Sequence, residues 1–237
     1  MPALSLSLLL DILWIGPTIV ALAFMAYARV RVQRAYQHYQ EVPNASGLSG
    51  AQIARLLLDS TDLRHVPVEE IDGDLTDHYD EEHRSVRLSS HVTHQASVAA
   101  LAIAAHEAAH AVQHHDAHRP FQVRRVIAPL AAFSPPIGVC LVVAGLLLDI
   151  PELGWMGTLL LVEAVVLALG LIPAERDANR RARILIRANG LANQLDEPGL
   201  SAVLNAAPLT YCALLLTSFR HLVYLGLLAT GVARREK

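Results

Sequence analysis

Residues 104–110 read Ala-Ala-His-Glu-Ala-Ala-His, and His106, Glu107 and His110 are the residues of this chain best suited to chemistry. The pattern is H-E-x-x-H. It sits in a segment, residues 96–115, that is rich in helix formers and free of Gly and Pro. On a helix, residues four apart share a face. Imidazoles at 106 and 110 can therefore meet one metal ion at about 2.0–2.1 Å each. Glu107 is rotated away from that pair but stays near it. It can take a proton from water activated by the ion and later pass it to a leaving amine. The non-catalytic alternative for the same residues is a His-rich helix packed against a membrane face.

A catalytic zinc ion needs a third protein ligand and an open position. His114 continues the same face, but the helix rises about 12 Å between His106 and His114, too far for three ligands to converge. The longer metzincin pattern wants histidine where this chain has Asp116 and glycine where it has Gln113. Asp149 falls about 30 Å from His110, across the bilayer in the topology argued below. Glu175 and Asp177 remain. Glu175 and Asn179 are four apart and share a helix face, whereas Asp177 points almost the opposite way. Glu175 as ligand, with Asn179 supporting an imidazole N–H, is the better geometry, and Asp177 is the alternative. His78, Tyr79 and Tyr211 are candidates to hydrogen-bond a developing oxyanion. Each also reads as an ordinary residue: the first two as turn residues, the last as an aromatic at a membrane interface.

The elements that must position these groups are mostly apolar. Hydrophobic residues make up 53% of the 237 and charged residues only 17%, below the usual quarter of a soluble domain. The formal net charge of −3 gives no basic field for nucleic acid, so none is expected as a partner. Cys140 and Cys212 stand alone in apolar runs and form no CxxC pair. Four apolar runs are long enough to span a bilayer: residues 4–28, 126–150, 153–172 and 209–231. The first has no basic start and reads as a retained anchor. Pro173 is expected to end the third, with a polar helix following over 174–188. The second and third are joined by a very short turn and should run antiparallel. Arg29 to Arg34, Arg119 to Arg125 and Arg176 to Arg187 then fall on one side, which the positive-inside rule makes cytoplasmic. Arg234, Arg235 and Lys237 disagree with that assignment unless the last run dips in and returns. Between the first two runs, Ser49 should cap a helix with Ile53, Leu56 and Leu57 on one face. Residues 66–71 and 84–89 read as two short strands. The second of these, at Val86–Ser89, reads as an edge able to pair with an extended substrate.

The expected architecture is a mainly α membrane protein with about four transmembrane helices and a zincin-like cytoplasmic α+β part that holds a small sheet and the H-E-x-x-H helix. Its divisions are an anchor (1–28), a catalytic region (29–125), a transmembrane hairpin (126–172), a cytoplasmic helix with the third ligand (173–208), and a last transmembrane or re-entrant segment with its tail (209–237). The site should lie on the cytoplasmic side of a multi-pass protein of the cell membrane.

Further segments carry a resemblance. Gly47-Leu48-Ser49-Gly50, Leu75-Thr76-Asp77-His78-Tyr79-Asp80, Val86-Arg87-Leu88-Ser89, Ala105-His106-Glu107, Pro173-Ala174-Glu175-Arg176-Asp177-Ala178 and Leu209-Thr210-Tyr211 occur in this order. Together they resemble the YugP-like neutral zinc metallopeptidases, multi-pass bacterial membrane peptidases with one zinc. The resemblance implies His106 and His110 as zinc ligands, Glu107 as the base and Glu175 as third ligand. The chain departs from the family's usual Gly at Ala109 and from its common Ser at Asn179; neither change removes a ligand. The expected activity is endopeptidase cleavage of membrane or membrane-proximal protein substrates, with one zinc ion per chain and the lipid bilayer as surroundings. The competing reading is a non-catalytic membrane protein with a structural metal closed by a fourth ligand, His114 or His78. A transporter is a weaker third, since no repeat is present.

Overall fold

Ser97 starts the helix that carries the motif: its hydroxyl accepts the Ala100 N–H at 3.1 Å, satisfying one of the free donors of the first turn. In the computed structural model, which describes Tyr27, residues 30–148 and residues 150–206, the chain divides into two compact units. One comprises Val30–Arg125 with Leu171–Leu209, the other Met1–Arg29, Val126–Gly170 and Thr210–Lys237. All the candidate site residues described below belong to the first.

That unit begins with a helix over residues 30–39, α1. Ser49 and Gln52 then form a reciprocal capping box that opens α2, Gly50–Ser60. α2 buries Ile53, Ala54, Leu57 and Leu58; Leu56, expected on that face, is only half-buried. Three strands follow, β1 (Val68–Ile71), β2 (His78–Asp80) and β3 (Ser85–Ser89). Their order is β1-β3-β2, with β1 parallel and β2 antiparallel to β3. β3 is therefore the central strand. The expectation of two strands with a free edge at Val86–Ser89 is corrected: β2 covers that edge through the pairs His78 to Arg87, Tyr79 to Val86 and Asp80 to Ser85.

A short helix α3, Ser90–His94, leads into α4, Val98–His115. Ala99, Ala100, Ala104, Ala105, Ala108 and Ala109 are all buried, so α4 is enclosed on nearly every side rather than on one stripe. It packs against α2, the sheet and the short helix α7, Glu197–Leu204. Its apolar character is thus spent on protein contacts.

Two long helices contribute to both units: α5, Arg119–Leu147, and α6, Pro151–Ala188. The expectation is about four transmembrane helices; among the described residues one helix, Arg119–Gly145 within α5, is long and apolar enough to cross a membrane. The four-span architecture is corrected accordingly. The runs at 4–28 and 209–231 lie outside the described residues, apart from Tyr27. The run at 153–172 is not a separate element ending at Pro173. It is the first part of a continuous 38-residue helix that contains Pro173 and continues into charged turns. The proline removes one backbone donor but does not end the helix. On α5, Val126, Leu130, Phe133, Ile137 and Val143 are exposed, an apolar flank suited to lipid.

Candidate metal centre

His106 and His110 lie one turn apart on α4, and their Nε2 atoms face each other at 3.1 Å. Glu175, from α6, brings Oε2 to 3.3 Å from His106 Nε2 and 3.8 Å from His110 Nε2. Among the described residues this trio forms a cluster able to hold a metal ion. Three ligands about 2.05 Å from a tetrahedral ion stand about 3.3 Å from one another. The observed triangle of 3.1, 3.3 and 3.8 Å is close to that size. The donor set, two imidazoles and a carboxylate, suits zinc.

The surroundings fix which ring atoms are available. Gln113, fully buried one turn beyond His110, donates its amide N–H groups to the Ala174 carbonyl at 2.9 Å and to Asp177 Oδ2 at 3.0 Å. Its Oε1 is left to accept from His110 Nδ1 at 2.9 Å. The His110 proton therefore sits on Nδ1, and the Nε2 lone pair is free for the cluster. The outer nitrogen of His106 is placed differently. Asn179 donates Nδ2 to the Leu204 carbonyl at 2.7 Å, which leaves its Oδ1 as the end without a partner. His106 Nδ1 is likewise buried without a hydrogen-bond partner among the described residues. Asn179 is among the groups that raise the His106 pKa, so these two complementary atoms lie on neighbouring groups.

Charge follows the same plan. Burial opposes ionisation of Glu175, but His106, His110 and Arg124 outweigh it and hold the carboxyl well below the usual range. Burial and the neighbouring His106 push His110 down to about 3, so its ring is neutral. Burial works against a charge on His106 too, yet Glu175 and Glu107 raise its pKa. The trio thus presents a neutral imidazole, an ionised carboxylate and a ring surrounded by negative charge, an environment that favours a cation.

Glu107 is 8% exposed, and burial pushes its carboxyl up. Its Oε2 accepts the backbone N–H of Tyr79 at 2.8 Å. That N–H belongs to β2 and points away from β3, so the outer edge of the sheet anchors the carboxylate. The other candidates are placed as follows. The Tyr79 hydroxyl pairs with His114 Nδ1 at 3.0 Å, and burial raises its pKa to about 12. His78 is exposed and turns Nδ1 to the Thr76 carbonyl at 2.8 Å. Asp177 lies between Arg180, Arg181 and Gln113, away from the trio. Its link to His110 among the described residues runs through Gln113. Tyr211 lies outside the described residues. Neither His114 nor His78 joins the cluster as a fourth ligand.

Three residues of the site are not singled out by the sequence. Gln113 is one. Phe121 is another: fully buried, its ring lies 5.7 Å from that of His110 and 5.6 Å from that of His114. The third is Arg124, whose Nε donates to Glu175 Oε1 at 2.8 Å. A sequence signal exists for Gln113, which stands three residues after His110 on the same helix. Gln113→Leu should weaken zinc binding about 10–100-fold, the usual cost of an outer partner of a ligand. Competition with a chromophoric chelator measures this, and an unchanged affinity would show that the Gln113 bond orients nothing.

Comparison with known proteins agrees with the geometry. Residues 14–230 match the family described as "Putative neutral zinc metallopeptidase". The chain is 37% identical over 211 residues to a Bacillus subtilis (strain 168) protein called "Putative membrane protease YugP", covering 89% of this chain and 94% of the relative. No solved structure matches it.

Proposed function

The chain belongs to the neutral zinc metallopeptidase family, and from that premise we propose that it is a membrane-associated, zinc-dependent endopeptidase with His106, His110 and Glu175 as ligands and Glu107 as general base. The observation that carries this reading is the convergence of two imidazole nitrogens and one carboxylate oxygen within 3.1–3.8 Å of one another, with a buried carboxylate on the residue adjacent to the first.

Zinc, when bound, polarises the scissile carbonyl and makes water nucleophilic near neutral pH. The rest is the work of the chain. Gln113 holds the His110 ring so that its Nε2 points inward, and Asn179 stands beside the His106 ring. Glu107, fixed through Oε2 by the Tyr79 N–H, accepts the proton of the attacking water on Oε1. It then delivers that proton to the nitrogen of the leaving amine as the C–N bond breaks. Water adds to the carbonyl carbon, so the products are a carboxylate and an amine. With no fourth protein ligand in the cluster among the described residues, one position is left for substrate and water, as catalysis requires.

The substrates proposed are membrane or membrane-proximal proteins. Support comes from α5, whose apolar flank begins at Val126, directly after Arg124 and Arg125 in the chain. Arg124 belongs to the site, and the positive-inside rule supports a cytoplasmic position for this basic end of the candidate span.

The test uses the full chain purified in detergent. It should hold one zinc ion and cleave casein; chelation should abolish cleavage, and added zinc should restore it. Full cleavage by protein shown to be metal-depleted would overturn the proposal.

A further inference from the structure

The two oxygens of Glu175 have different partners. Oε2 faces the two imidazoles, while Oε1 is taken by Arg124 Nε at 2.8 Å. Arg124 cannot easily swing away. Its Nη1 donates to Glu81 Oε1 at 2.8 Å, in the turn between β2 and β3, and its guanidinium lies 5.8 Å from the centre of the buried Phe121 ring. Glu81 and Phe121 therefore fix one guanidinium against one carboxylate oxygen. A carboxylate binds zinc through one oxygen or through both, and the second mode fills the position that water must occupy.

We propose that Arg124 is a positioning residue that restricts Glu175 to ligation through Oε2 alone and so keeps the centre four-coordinate with one open position. The proposal rests on Glu175 being a ligand. Two effects act together. The charge-assisted hydrogen bond makes Oε1 a poor second donor. The planar fork, held by Glu81 on one side and Glu175 on the other, sets the plane of the carboxylate, which a lysine ammonium cannot do. Simple neutralisation of a buried carboxylate is the competing role, and a lysine in place of Arg124 would fulfil it equally well if that were all.

The experiment replaces zinc with cobalt(II), whose visible absorption is intense in four-coordinate and weak in five-coordinate sites. Wild type should give the intense spectrum. Arg124→Met should retain one metal per chain but lose absorption several-fold as Glu175 becomes bidentate. Arg124→Lys keeps the charge and guards against a folding failure; it should show the same loss in part. A wild-type spectrum in both variants, or an Arg124→Lys spectrum identical to wild type, would overturn the proposal, as would loss of the metal from folded Arg124→Met. Glu175→Gln separates the underlying reading. If that variant alone leaves the cobalt spectrum unchanged, Glu175 is not a ligand and the premise fails, whatever Arg124 does.

Discussion

Glu107→Gln should leave one zinc ion bound and reduce peptide hydrolysis about 10²–10⁴-fold, the range that a positioned general base contributes. The structure gives reasons for both halves. Glu107 is not among the three converging donors, so the variant loses no ligand. Glutamine has the same shape, and its carbonyl oxygen still accepts the Tyr79 N–H that Glu107 accepts at 2.8 Å. What disappears is the ability to take a proton. Stability provides a second readout. Burial raises the Glu107 pKa above its ordinary value, so the ionised form is disfavoured in the folded chain. An acid shifted upward weakens folding at a pH above its unfolded value, because the unfolded chain then ionises more readily. The neutral variant escapes that penalty, and its melting temperature at neutral pH should equal or exceed that of wild type. Hydrolysis and zinc content measured on the same preparation decide the matter. Undiminished cleavage would remove Glu107 from the mechanism, and loss of zinc with loss of cleavage would leave its role as base without support.

How much of this site is legible in the sequence depends on whether it is local in the chain. The His106–His110 pair and the Glu175–Asn179 pair follow from a four-residue spacing that any helix turns into a shared face. That argument needs no knowledge of what packs where. Gln113 is equally local, but in the sequence it stands out only as a departure from a longer zinc pattern. Its partnership with His110 becomes evident only when Ala174 and Asp177 occupy its donors. Arg124 reads as one of several charges marking a membrane side. Its two carboxylate partners are 43 and 51 residues away, a distance that no periodicity spans. β2 escapes notice because three residues in a polar stretch carry too little pattern. It is held by pairing with β3 and by the Tyr79 N–H bond to Glu107, both tertiary effects. The third apolar run does not end where the sequence suggests, because Pro173 reads as a stop. A helix already nucleated on both sides tolerates the loss of one hydrogen bond, and α6 continues to Ala188.

Glu175→Gln should weaken zinc binding by more than the roughly 10–100-fold that an outer partner costs, and should abolish cleavage with it. The amide keeps the size of the side chain and can still accept from Arg124, so the fold is preserved where a truncation to alanine would leave a larger gap. It loses the negative charge that the two imidazoles and Arg124 hold ionised. Asp177→Asn is the matched comparison. Asp177 lies on the same helix and is also held ionised, but against burial by Arg180, Gln113 and Arg181. Among the described residues its link to the cluster runs through Gln113. Its replacement should therefore cost no more than the outer-partner range and leave cleavage measurable at saturating zinc. The two carboxylates are rivals for one role on sequence grounds, and helix geometry separates them: the side chain two residues along the helix is turned away from α4's imidazoles toward the arginines. Zinc titration of both variants reads that separation directly. Equal affinity in Glu175→Gln and wild type, or a larger loss in Asp177→Asn than in Glu175→Gln, would mean that the third ligand comes from elsewhere.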